Sequence, residues 1–195
     1  MNPDAEKYIC TTCGGHFILD NMVHQEDGSV REGTLVCRTC GIRYSVISGI
    51  PRFVPAENYA GSFGYQWNIH RKTQLDSYTG LPISRDRLFT VSGWSEHLEG
   101  ERILEAGSGA GRFTEVLLQT GAELFSFDYS NAVEANLSNN GEKPNLHLFQ
   151  GDIFNIPFAE QSFDKVISLG VLQHTPDPER AFISLARFVK PGGSL

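Results

Sequence analysis

The sequence predicts an α/β protein in which helices cover both faces of a parallel sheet, with a small four-cysteine ribbon in front. Three observations support this. Residues 103–114 (ILEAGSGAGRFT) run as a short apolar strand, a turn with three glycines at alternate positions, and an amphipathic helix. From Glu101 onward strand and helix patterns alternate. All four cysteines fall in two C-x-x-C pairs near the N-terminus. The chain therefore divides into residues 1–55, a ribbon; 56–100, a helical linker or cap; and 101–195, the sheet domain.

Cys10 and Cys13, then Cys37 and Cys40, have the two-knuckle spacing of a zinc site, with a slightly long insert. Each pair is followed by glycine, which lets backbone N–H groups turn toward thiolate. Four thiolates close a tetrahedral shell, so the Zn2+ would be structural rather than catalytic. Two disulfides or four free thiols are the alternatives, and disulfides do not suit a reducing compartment. His16 and His24 lie nearby in sequence but find the shell already filled. Short strands are expected at residues 17–19 and 34–36, then a strand, a turn and an exit over 43–55.

Residues 56–100 are dense in aromatics around Phe63, Tyr65 and Trp67, and Ser84 reads as the N-cap of a helix. One or two helices are expected over the cofactor cleft. Tyr65, Gln66 and Trp67 face substrate or simply pack.

The glycine turn needs a ligand class. A dinucleotide fingerprint reads G-x-G-x-x-G, whereas here the order is G-x-G-x-G with Glu105 just before it. A carboxylate there repels a pyrophosphate and suits a cation such as the ammonium or sulfonium of S-adenosylmethionine. The carboxylate of that compound can take the helix N–H groups. The helix is expected over residues 113–119. The second strand, 123–127, ends at Asp128, which either accepts the ribose hydroxyls or joins Ser130 in starting the next helix. The third strand, 146–150, ends at Asp152 and Ile153. The first can accept an adenine amino group, the second can lie against the ring, and a plain turn aspartate is the alternative. The fourth strand is expected over 163–169, followed by a loop with His174 at the carboxyl ends of the strands. A helix begins at Asp177 and Pro178 and runs through Val189, where 190–193 (KPGG) stop it.

Residues 10–55 resemble the zinc ribbon of small methyltransferase-activator proteins and of some ribosomal-RNA guanine methyltransferases. The shared features are the paired C-x-x-C, the step from Cys40 through Gly41 to Tyr44, and the Gly49-Ile50-Pro51 exit. That likeness implies a scaffold or docking role. Residues 103–195 resemble the class I S-adenosylmethionine-dependent methyltransferases, a Rossmann-like family. The matching pieces are E-x-G-x-G-x-G-R-F, the acid at Asp128, QGD at 150–152 and IPF at 156–158. SFD at 162–164, GVLQH at 170–174 and KPGG at 190–193 continue the series. The resemblance implies Glu105, Gly107 and Gly109 around the methionine part, Asp128 on the ribose, and Asp152 with Ile153 at adenine. Leu169, Gly170 and the loop to His174 would line the cleft, with Ser108, Gly111 and Tyr129 completing the cofactor set. Arg112 and Phe113 are expected to pack or to order the turn. A complete domain of the family has seven strands, and the fifth starts just after KPGG. The chain is thus expected to lack the last strands and to leave the fourth strand as an unpaired edge.

The 195 residues are 40% hydrophobic and carry a net charge of −7, so they suit a soluble globular protein. The acidic balance disfavours nucleic acid as a partner, since phosphate contacts need a basic face. The N-terminus lacks an apolar signal core, and no apolar run is long enough to span a bilayer, so a cytoplasmic location is expected. The function expected is methyl transfer from S-adenosylmethionine to a small molecule. An RNA methyltransferase and a noncatalytic module that docks a partner through its ribbon are the alternatives. Transfer from a sulfonium mostly needs positioning. His174 is the one candidate base near the cleft whose charge can change near neutrality; the alternative is a histidine that shapes the loop or caps the next helix.

Overall fold

The structure, a computed structural model, describes residues 4–26, 28–55 and 72–195. Tyr65, Gln66 and Trp67 lie outside the described residues. Strands β1 (Phe17–His24), β2 (Val30–Cys37), β3 (Arg43–Ile47) and β4 (Ile50–Pro51) form an antiparallel meander in chain order. Helices α1 (Asp76–Thr79) and α2 (Ile83–Ser92) follow. Next come β5 (Arg102–Ala106), α3 (Arg112–Leu118), β6 (Glu123–Asp128), α4 (Ala132–Asn140) and β7 (Leu146–Gln150). The described chain ends with β8 (Phe163–Ile167), α5 (Pro178–Ala186) and β9 (Val189–Ser194).

The second sheet has the order β7-β6-β5-β8-β9, and every pairing in it is parallel. Alternation along its strands sorts the core into two layers. Ile103, Leu124, Leu146, Leu148 and Ile167 face one way and pack with Leu88 of α2, Phe113 and Leu117 of α3, and Val133 of α4. Leu104, Phe125, Phe127, Phe149, Phe163 and Val166 face the other way and meet Leu185 of α5.

The ribbon fills the rest of that second face. Tyr8, Phe17 and Phe53 are buried in the same cluster as Phe149 and Phe158, with ring centroids 5.2 Å apart for Tyr8–Phe53 and 5.3 Å for Tyr8–Phe158. Two backbone hydrogen bonds cross the junction: Ile9 N–H donates to the Pro157 carbonyl (2.9 Å) and Phe53 N–H to the Gln150 carbonyl (2.8 Å). Ribbon and sheet thus share one continuous apolar core. Burial also pushes the Tyr8 phenol well above its ordinary value.

Three expectations change. Val189 does not extend the last helix. The helix stops at Ala186, and β9 pairs with β8, so a fifth strand is present and β8 is an interior strand. The register slips between Phe163 and Lys165, where residues 190–193 bulge. Trp94 Nε1 donates to Ser194 Oγ at 2.9 Å and ties the strand down. Ser84 is not an N-cap. It lies within the first turn of α2, fully buried, and donates to the Gln74 carbonyl. The orphan N–H groups of Ser84 and Arg85 are taken instead by the two carboxylate oxygens of Asp76, at 2.8 and 2.9 Å. A cap supplied from eight residues upstream leaves no local sequence pattern. The fourth strand ends at Ile167, short of Leu169, which frees Leu169 and Gly170 for the loop above the sheet.

Candidate cofactor cleft and cysteine cluster

The strand order reverses between β5 and β8, and open α/β sheets bind ligands above such a switch point. A cleft of about 330 Å³ lies there. The β5–α3 turn supplies Gly107, Ser108, Gly109 and Ala110; the end of β6 supplies Asp128 and Tyr129; the end of β7 supplies Gly151, Asp152 and Ile153. Leu169, Gly170, Val171, His174 and Thr175 form the opposite wall.

The turn is built for close approach. Gly107 has φ +80°, and a Cβ there would lie 2.4 Å from Val171 Cγ2, so only glycine fits. Gly109 N–H donates to Asp128 Oδ2 at 2.9 Å, which fixes the turn against the tip of β6. The other Asp128 oxygen accepts from Ser130 N–H (2.9 Å) and Ser130 Oγ (2.7 Å). Asn131, not Asp128, occupies the N-cap position of α4. Asp152 Oδ1 accepts from Phe154 N–H at 2.9 Å and still borders the cleft.

Two residues expected at the ligand are not on the cleft surface. Gly111 has φ +86°, and a Cβ there would sit 2.3 Å from Asn136 Oδ1. Its missing side chain admits α4, not a ligand. Glu105 lies beneath the turn, 3% exposed, because an inward position on β5 faces α3 and α4. Its Oε2 accepts from Thr114 Oγ1 (2.6 Å) and Ser126 Oγ (2.7 Å), while Oε1 is buried without a partner. Burial pushes its carboxyl up to about 7, against the pull of those two hydroxyls. Asn136 donates to Thr114 Oγ1, and Asn139 and Asn140 donate to the carbonyls of Ala110 and Gly111. Three asparagines of α4 thus hold the turn from below.

The sequence reading also missed residues. Gln74 and Arg87 reach the cleft from the segment before β5, and Arg112 and Phe113 line it as well as ordering the turn. Arg112 donates to Ser84 Oγ and Gln74 Oε1. A single arginine on a helix with little amphipathicity carries no signal in sequence. Only the folding back of α2 brings Arg87 to the cleft. His174 stands at the exposed rim, in a short 3-10 turn over Leu172–His174.

A second constellation sits in the ribbon. The sulfurs of Cys10, Cys13, Cys37 and Cys40 all lie within 4.8 Å of one another. The Cys10–Cys40 and Cys13–Cys37 separations are 3.6 and 3.5 Å. Tetrahedral Zn–S bonds of about 2.3 Å place sulfurs roughly 3.8 Å apart, so the cluster fits that ion. All four cysteines are free thiols. Backbone N–H groups of Cys40 and Thr39 pull the Cys37 thiol down to about 6, whereas at Cys13 the pull of the Gly15 N–H is outweighed by the neighbouring cysteines and burial, which push that thiol up. A Cβ on Gly15 would lie 2.4 Å from Thr39 Oγ1, so the two knuckles interlock only around a glycine.

Fold and cleft together define a Rossmann-like methyltransferase architecture. Residues 104–195, the segment that builds the cleft, match the family model described as a methyltransferase domain. A ubiquinone biosynthesis O-methyltransferase of Coxiella burnetii is 33% identical over 100 residues, which cover 50% of this chain and 43% of the relative. A demethylmenaquinone methyltransferase of Renibacterium salmoninarum is 32% identical over 97 residues, covering 49% and 40%. The chain therefore spans less than half the length of these curated relatives. A Haemonchus contortus phosphoethanolamine N-methyltransferase, solved with phosphoethanolamine and S-adenosylhomocysteine, superposes with a TM-score of 0.53. It is 25% identical, and the match covers 72% of this chain and 32% of that one. Among the described residues no helix is long and apolar enough to cross a membrane.

Proposed function

We propose that this chain forms the cofactor-binding part of an S-adenosylmethionine-dependent methyltransferase that acts on a small molecule. The observation that carries the reading is the cleft at the switch point, bounded by the Gly107–Gly109 turn, Asp128 and Asp152. The two quinone-pathway relatives support a small acceptor. S-adenosylmethionine supplies a methyl group on a sulfonium, already activated for in-line displacement by an acceptor atom. The residues here need only bind, orient and exclude water.

In this reading Asp128 and Asp152 accept the hydroxyls and the amino group of the nucleoside, and Ile153 covers the ring. The turn from Gly107 to Gly109, with Ser108, receives the methionine part, and Tyr129, Leu169 and Gly170 complete the walls. Glu105 acts through the turn as a buried acid whose negative field favours a cation above it. His174 at the rim is placed to take a proton that an acceptor releases. Cys10, Cys13, Cys37 and Cys40 hold one structural Zn2+ with no open position.

Titration calorimetry with S-adenosylhomocysteine and with NAD tests the reading. Saturable one-to-one binding of the first and none of the second is expected. Binding of NAD alone, or of neither, overturns it.

A further inference from the structure

Arg52 stands at the end of the ribbon and is 7% exposed, an unusual place for a guanidinium. Its backbone bridges to Gln150 at the tip of β7, in parallel register. Its side chain is spread over three partners. Nη1 donates to Gln150 Oε1 (3.2 Å); Nη2 donates to Glu134 Oε1 (3.0 Å) and to the Ile47 carbonyl (3.4 Å). Gln150 passes the contact on, since its Nε2 donates to the carbonyl of Tyr129 at 2.9 Å. Glu134 sits in the first turn of α4, just past the same loop. The guanidinium therefore holds the α4 end of the β6–α4 connection directly, through Glu134, and the Tyr129 end through Gln150.

We propose that Arg52 is a positioning residue for the cofactor. Through Gln150 it fixes the Asp128–Tyr129 wall of the cleft, so the ribbon sets nucleoside affinity across the junction. This rests on the methyltransferase reading above. The physical case is one of cost. Desolvating a guanidinium this deeply is unfavourable unless its donors are used; both terminal nitrogens are used here, on Gln150, Glu134 and the Ile47 carbonyl, while Nε is buried without a partner among the described residues. Plain attachment does not need the charge, because the aromatic cluster of Tyr8, Phe53, Phe149 and Phe158 already buries the junction. Lysine would not substitute, because one ammonium lacks the planar fork that reaches Gln150 and Glu134 together.

The test uses the full chain with S-adenosylhomocysteine and with adenosine alone as probes. Arg52→Met, Gln150→Leu and the double variant are compared with the wild type by calorimetry and by thermal melts. Each single change is expected to weaken both probes about tenfold, the scale of one lost hydrogen bond in a buried site. The double variant is expected to be no weaker than the worse single one, because both cut the same relay. Glu134→Ala, at a half-exposed partner, should cost only about two- to threefold. Unchanged affinity in Gln150→Leu overturns the proposal even if Arg52→Met fails to fold. Losses that multiply in the double variant, or that track the fall in melting temperature, also overturn it. Failure of the wild type to bind either probe would instead remove the methyltransferase reading on which the relay rests.

Discussion

The two walls of the cleft are held by different means. The glycine-turn wall is shaped close by in the chain: Gly107 adopts a left-handed conformation, and Gly109 bonds to the tip of the adjacent strand. The Asp128–Tyr129 wall is held from afar, by Gln150 on the neighbouring strand and Arg52 in the ribbon, 98 residues away from that glutamine in sequence. A wall fixed by backbone stereochemistry should fail abruptly when its glycine is changed. A wall fixed by tertiary contacts should loosen by degrees, and should respond to events in the ribbon.

The largest effect is expected from the metal. Stripping Zn2+ with a strong chelator, or making Cys13→Ala, should unfold the ribbon and lower the melting temperature by about 10 °C or more. Elemental analysis should find one zinc per chain beforehand. S-adenosylhomocysteine affinity should fall with the metal, which would show that the distant wall depends on the ribbon. Next is Gly107→Val. The strained φ and the overlap with Val171 together cost about 3 kcal/mol or more, so the same ligand should bind roughly 100-fold more weakly. Its zinc content should stay intact, a contrast that separates the two walls.

Glu105→Gln sharpens the comparison from beneath. The folded carboxyl titrates near 7, above its unfolded value, so its stabilising contribution is complete below about pH 4.5 and disappears as pH rises through 7. Without ligand, the wild type and Glu105→Gln should be about equally stable at pH 4. At pH 8 the variant should be more stable by about 1–3 kcal/mol, read from urea unfolding. Equal pH profiles would refute the buried-acid account. The smallest effect belongs to Asp128→Asn. One oxygen can still accept from Gly109 or from Ser130, but not from both, so a loss of about tenfold in ligand affinity is expected by calorimetry.

Much of this was legible because it is written in local pattern. The order of elements from β5 to β8, the glycine turn and the acids at the ends of β6 and β7 follow from periodicity and from residues required by backbone geometry. The four cysteines are as readable, since their spacing encodes the knuckles. Other features were not. KPGG looked like a helix stop, yet the helix has already ended at Ala186 and these residues lie inside β9, because the edge of β8 accepts a bulged partner. Glu105 read as a ligand contact because the sequence shows an acid next to a glycine turn; it does not show which way the strand side chain points. Gln74 and Arg87 reach the cleft only through the path of α1 and α2.

The amino-acid order alone carried the fold class, the place of the cleft along the chain and the grouping of the four cysteines, because each depends on contacts between near neighbours or on what glycine and cysteine alone can do. Only the tertiary structure decided that Glu105 is buried, that Gly111 serves helix packing, and that Arg52 reaches the back of the cleft. Those outcomes depend on which surfaces exclude water when distant segments meet, and no local pattern of residues records that meeting.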